Sequence, residues 1–312
     1  MKAAVVSAFD TPPRYEDFPT PTPTSRYEML VDVLACGLHP RVRSQANGSH
    51  YTSTGALPLV PGIDGVGRDA DGALRFFVLP DTSVGAMAER TVIDARRSVL
   101  LPPDADPIAV AAGINPAMSS WIALRRRIEF QSGAAVLVLG ATGNAGRMAV
   151  QVAKRLGAGR VLAAGRNPGR LAELPALGAD ATVALDSSEL GPFAADVDVV
   201  IDYLWGEPAA AAMVAMVTAR RDRGRSLHWI QIGAVAGLTA PIPSAALRAS
   251  GLRIVGSGQG SVSTADILAE LPSLAEEISA GTLPVDAEPM PLADVGRAWA
   301  VAATGRRIVL IP

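Results

Sequence analysis

One segment, VLVLGATGNAGRMAVQVAKRLGAGRVLAAGRN at residues 136–167, limits the fold more than any other. It reads as an apolar strand, a glycine turn, a helix and a second apolar strand. Two strands joined through a helix run parallel, and the crossover helix must cover a face of their sheet. The same alternation continues from about residue 114 to 258. Strand candidates lie at 135–140, 160–165, 181–185, 197–202, 228–233 and 252–256, with helical stretches between most of them. The expectation is an α/β domain with a six-stranded parallel sheet, doubly wound.

The flanking sequence has a different texture. Residues 1–113 are rich in Gly, Pro and Thr. Their apolar runs are short (KAAVV, EMLVDVLAC, RFFVL, AERTVI) and separated by turn residues, as in an all-β unit. Residues 259–312 hold two helical stretches and a closing strand, RRIVLIP, able to return to the first part. A chain of 312 residues is long enough for two such domains. Its net charge of −2 gives no basic field to attract nucleic acid or an anionic membrane. A single cysteine, Cys36, rules out an internal disulfide and a four-cysteine zinc site. The N-terminal residues meet charge and proline too early for a signal peptide, and no stretch is expected to cross a membrane. A cytoplasmic location is the expectation.

Gly140, Gly143 and Gly146 give the turn its chemistry, with Thr142, Asn144 and Ala145 between them. One glycine permits the turn, one lets a pyrophosphate approach the backbone, and one lets helix and strand pack closely. The helix N-terminus then offers N–H groups and partial positive charge to phosphate. The spacing is GxxGxxG, and by pattern alone a tight turn that binds nothing also fits. The end of the second strand is more telling. An NAD site places an acid there for the ribose 2′-hydroxyl. Here Gly165, Arg166 and Asn167 follow the strand, and Arg170 comes one helical turn later. A guanidinium suits a 2′-phosphate, so the expected cofactor is NADPH.

The motifs VDVLACGLHP, LPLVPGIDGVG, GAMAERTVI, NPAMSSWIAL, the glycine turn, IQIGAVAG, LRIVGSG and ADVGRAWAVAATGRRIVLIP span nearly the whole chain. Together they resemble the medium-chain dehydrogenase/reductases, and most nearly their zinc-free quinone oxidoreductase branch. The resemblance implies a GroES-like β domain, residues 1–113 completed by 259–312, and a Rossmann domain at 114–258. It also implies a homodimer.

Metal-dependent relatives carry cysteine where this chain has His39, and His-Glu where it has Ile63-Asp64. Their third ligand, a cysteine, would fall near INPAM, which has none. No metal is therefore expected. Without a metal to lower a hydroxyl pKa, alcohol oxidation loses its best route. Quinones and α,β-unsaturated carbonyls accept hydride with less help. The implied activity is NADPH-dependent reduction of a quinone or enone. An enoyl-thioester reductase acting on a carrier-bound chain, and a non-catalytic NADPH-binding sensor, are the alternatives.

Two residues are candidates for the proton or hydrogen-bond donor. Tyr51, in ANGSHYTSTGALP, resembles the tyrosine of the quinone oxidoreductase loop, although a structural tyrosine fits equally. His39 can donate to a substrate oxygen, or make a plain polar contact as Asn does in many zinc-free relatives. Asn115 is placed to meet the nicotinamide ribose. Tyr203, after the strand VDVVID, is placed to flank the cofactor. Gly233, Ala234 and Ser257 end later strands, where ligands bind in open α/β sheets.

Overall fold

The computed structural model describes residues 1–50 and 52–312. The chain divides into two compact units, Pro116–Ile267, and Met1–Asn115 together with Leu268–Pro312.

Six parallel strands build the unit Pro116–Ile267: β1 Ala135–Leu139, β2 Arg160–Gly165, β3 Ala181–Ala184, β4 Val199–Asp202, β5 Leu227–Gln231 and β6 Leu252–Gly256. Their order across the sheet is β3-β2-β1-β4-β5-β6. The chain winds outward in one direction from β1 and then in the other from β4. The gap between the ends of these two strands is the place where such sheets receive ligands. Every residue of β4 is buried, while the middle of edge strand β6 is exposed. The helix Gly206–Ala219 approaches closely because its buried face is mostly Ala209, Ala210, Ala212 and Met213. Its core partners include Trp229 of β5, which is fully buried.

Four of the six strands differ from the periodicity by a residue or two at one or both ends. Strand β1 stops at Leu139 because Gly140 turns to φ +81°. Strand β5 stops at Gln231 because the next two N–H groups, of Ile232 and Gly233, both donate to the Asp202 carbonyl.

The other unit is a β domain. One sheet runs in the order Glu288–Pro291, Ile308–Ile311, Glu28–Leu38, Asp64–Arg68, Leu74–Val78 and Ser98–Leu100, with Arg90–Asp94 also pairing Glu28–Leu38. A separate hairpin pairs Lys2–Val5 with Arg14–Asp17. The closing strand is antiparallel to Glu28–Leu38, with Ile308 opposite Leu38 and Leu310 opposite Cys36. Val33, Leu38, Phe77, Met87, Ile93, Met290 and Leu310 share one core, so this unit is built from both ends of the chain.

Helix Pro107–Ile122 passes into a π turn, Ala123–Arg127. The combined segment has the length and hydropathy of a membrane span, yet 67% of its most apolar window is buried inside the protein, as in a core helix. Pro116 interrupts its ladder. Proline has no N–H, so the carbonyl four residues back, on Ala112, loses its helical donor. Buried Arg307 replaces it: Nε donates to the Ala112 carbonyl at 2.8 Å, and Nη2 to that of Ala111 at 3.3 Å. Burial pushes the Arg307 pKa down to about 10, against the opposing pull of Asp64.

Cys36 is fully buried, and burial raises its thiol pKa. Only the thiolate reacts readily. Native protein is therefore expected to resist an aromatic disulfide reagent, with labelling tracking global unfolding in urea. Rapid stoichiometric labelling without denaturant would contradict this.

Candidate active site

The three glycines of the turn have three different surroundings. Gly140 holds positive φ, and a Cβ there would lie 3.1 Å from the Leu204 side chain. A Cβ on Gly146 would lie 2.3 Å from the Gly140 carbonyl oxygen, so that glycine is fixed by helix–strand packing. Gly143 is different: it is exposed, and a Cβ would meet only the Gly140 oxygen, at 3.5 Å. Apart from that ordinary contact, nothing lies within 4 Å of the place a side-chain carbon would take. Helix Asn144–Arg155 starts here. Its first ladder bond runs from Arg147 N–H to the Gly143 carbonyl, so the N–H groups of Asn144, Ala145 and Gly146 lie ahead of the ladder.

Two arginines stand beside this turn. Gly165 ends β2 packed against Thr142. Arg166 follows it, exposed, with no ion pair or side-chain hydrogen bond among the described residues. Asn167 caps the helix Pro168–Glu173, its Oδ1 accepting from the Arg170 N–H at 3.0 Å. Its side-chain oxygen thus has a structural use that the sequence reading did not include. Arg170 reaches back, and Nη1 donates to the Thr142 carbonyl at 3.3 Å. Positive charge therefore sits both at the turn and at the end of β2.

Beyond β4 the chain is braced by Asp202, a fully buried carboxylate. Its Oδ1 accepts from the N–H groups of Leu204 at 2.8 Å and Trp205 at 3.0 Å; its Oδ2 accepts from the Trp229 indole at 2.9 Å. Burial raises the Asp202 pKa against those three bonds. The brace holds Trp205 at φ 51°, the only positive φ outside glycine among the described residues. Tyr203 is buried, with its phenol and the Ser119 hydroxyl 2.8 Å apart, and burial pushes its pKa up to about 12. Its hydroxyl is turned to Ser119 and away from solvent. Gly233 packs its backbone on the Tyr203 carbonyl, Ala234 after it is exposed, and Ser257 is buried with its N–H on the Gln231 carbonyl.

In the β unit, His39 and Asp64 form a buried pair, 3% exposed each. His39 Nε2 lies 3.4 Å from Asp64 Oδ1, and Asn115 Nδ2 donates to Asp64 Oδ2 at 2.9 Å. Burial lowers the His39 pKa; Asp64 opposes it, while Arg307 and Arg41 add to the lowering. His39 caps the start of helix Pro40–Ala46 by position but makes no side-chain capping bond.

No model of a known protein family matches the chain. Among curated proteins, a probable NADPH-dependent quinone reductase, tdiC, of Emericella nidulans is 32% identical over the full length of both chains. The chain belongs to the medium-chain dehydrogenase/reductases, in their quinone oxidoreductase-like branch. An NADPH-dependent alkenal/one oxidoreductase from Arabidopsis thaliana is 26% identical over 57% of this chain and 50% of its own. Among solved structures, a quinone oxidoreductase from Thermus thermophilus, studied also with NADPH, is 25% identical with a TM-score of 0.78 over all of both chains. A mycobacterial quinone oxidoreductase, 20% identical, superposes with a TM-score of 0.84 over both full chains and supports the fold.

Within this quinone oxidoreductase-like chain, the structure brings together Gly140 to Gly146, Thr142, Gly165 and Arg170 around one turn. Tyr51 lies outside the described residues. Asn115, expected at the nicotinamide ribose, has its amide on Asp64. Asp202 was missed by the sequence reading, although an acid closing the apolar run VDVVID is a visible signal for a buried, backbone-bonded carboxylate. The pairing of His39 with Asp64, 25 positions apart, leaves no comparable trace.

Proposed function

We propose that this protein reduces quinones or α,β-unsaturated carbonyls without a metal, using NADPH. It is an oxidoreductase, and NADPH is its cofactor. The observation that carries the reading is the glycine turn: open space over Gly143, a helix N-terminus behind it, and Arg166 and Arg170 where an NAD site would hold an acid. The N–H groups of residues 144–146 are the ones to hold the pyrophosphate, and Arg166 with Arg170 the 2′-phosphate. NADPH, when bound, supplies the hydride. The protein's part is to bind and orient: Asp202 fixes the loop beside the turn, and Gly233 and Ala234 offer backbone at the end of β5.

Support for metal-free chemistry comes from the residues themselves. Ile63 has no ligand atom. Among the described residues, no group of three His, Cys, Asp or Glu side chains gathers as a metal site would require. Conjugation spreads the charge of the reduced acceptor, so one hydrogen-bonding group and a proton from a side chain or water complete the reaction. Tyr51 is the candidate for supplying that proton, and His39 for a hydrogen bond to the substrate. A homodimer in the cytoplasm is part of the proposal, and the exposed edge strand β6 supports the pairing of two copies.

The test is NADPH oxidation against a panel of quinones and a panel of enones, with and without chelator, alongside elemental analysis. Turnover unchanged by chelator, with no stoichiometric zinc, is expected. One tightly held zinc per chain, lost together with activity, would overturn the metal-free reading. Tight NADPH binding with no turnover on either panel would overturn the reductase.

A further inference from the structure

We infer that His39 is a hydrogen-bond acceptor for a hydroxyl on a ligand, and that Asp64 positions it for this role. The inference rests on the reductase reading above. It follows from where the protons must be. A carboxylate has none to give, so in the His39–Asp64 contact Nε2 carries the proton and donates it. A neutral imidazole then has an unprotonated Nδ1, which can only accept. Nδ1 is buried from solvent and has no hydrogen-bond partner among the described residues. An unsatisfied buried acceptor is costly, and a donor supplied by a ligand removes that cost.

This reverses the donor role expected of a neutral histidine at this position. An acceptor here selects ligands that carry an O–H. The favoured substrates are quinones or enones bearing a hydroxyl near the reducible carbonyl. A ribose hydroxyl of NADPH has the same chemistry, and the experiment separates the two.

Asn115 makes Asp64 more than a generic neighbour. Its amide donates to Oδ2, which fixes the other oxygen toward the imidazole. In Asp64→Asn the new side-chain oxygen stays with Asn115, which places the amide NH₂ against Nε2. Nε2 must then accept, and the ring proton moves to Nδ1. A carboxylate-to-amide change that alters packing little is thus expected to turn the site from acceptor to donor.

Nitrogen-15 spectra of labelled protein read the tautomer directly. The chain has only three histidines, and His39→Phe identifies the His39 signals. The wild type is expected as the Nε2–H tautomer and Asp64→Asn as Nδ1–H. A wild-type proton on Nδ1 overturns the inference, even where Asp64→Asn does not fold. Binding is then probed with 2-(hydroxymethyl)-1,4-naphthoquinone, its 2-ethyl counterpart, and NADPH alone. If the hydroxyl belongs to the substrate, only the hydroxymethyl compound shifts the Nδ1 resonance. Its kcat/KM then exceeds that of the ethyl compound by about tenfold, a ratio lost in His39→Phe. If it belongs to the cofactor, NADPH alone shifts Nδ1 and His39→Phe weakens NADPH binding by about tenfold, with no preference between the quinones. If none of the three moves Nδ1, His39 is no ligand acceptor. Failure to reduce either quinone would count against the reductase reading, while the resonance would still decide the role of His39.

Discussion

Gly143→Val is expected to abolish NADPH binding in a chain that still folds, and Gly146→Ala to destabilise the fold itself. The two glycines are three positions apart, yet a side chain at each meets different things. Gly143 has φ −80° and ψ 165°, ordinary β-region angles that suit valine. Its Cβ would have nothing closer than the Gly140 oxygen at 3.5 Å. The added methyl groups occupy the space over the turn, which is where the pyrophosphate must lie. A loss of affinity of at least about a hundredfold is expected, since each ~1.4 kcal/mol is tenfold and several backbone contacts fail together. At Gly146 the first carbon added would sit 2.3 Å from a carbonyl oxygen and 2.6 Å from the Ala141 Cα. Both are backbone, so helix and strand must separate. The cost is about 3 kcal/mol, the upper end of core overpacking. NADPH fluorescence titration and urea unfolding measure the two effects. A folded Gly143→Val with unchanged affinity would show that the turn serves only packing.

The second large effect is on cofactor choice. Arg166 is exposed and has no partner among the described residues, so it is free to meet a 2′-phosphate, while Arg170 is tied to the Thr142 carbonyl. A charge-assisted bond to phosphate contributes roughly 1.5–3 kcal/mol, on the order of ten- to a hundredfold in affinity. Arg166→Ala should raise the NADPH dissociation constant by that factor and leave NADH, which lacks the 2′-phosphate, nearly unchanged. Arg166→Asp should go further, by repelling the phosphate and offering the ribose an acceptor. Added salt should weaken NADPH binding more than NADH binding. The deciding quantity is the ratio of the two affinities in wild type and in Arg166→Ala. A wild type that already prefers NADH, or a substitution that weakens both equally, would remove Arg166 from the phosphate.

The sequence by itself determined the parallel sheet and the turn, because both are local. Strands β1 to β6 are short, mostly apolar runs punctuated by glycine and by helical stretches, and no distant contact is needed to recognise them. The three glycines and Arg166 lie within 27 positions of one another, so their spacing carries their meaning. Strands Arg14–Asp17 and Asp64–Arg68 were not legible in this way. The first is exposed throughout and the second is Asp-Gly-Val-Gly-Arg, and each is a strand because a neighbour pairs with it. The remaining decisions belong to the tertiary structure. Arg307 supplies the donor that Pro116 withholds from Ala112, across 195 positions. Asp202 ties its own loop to Trp229. Asp64 stands between His39 and Asn115, and so sets which imidazole nitrogen holds the proton. A buried polar group must find a partner wherever the fold provides one, and that partner's place in the chain is set by topology, which no local pattern encodes.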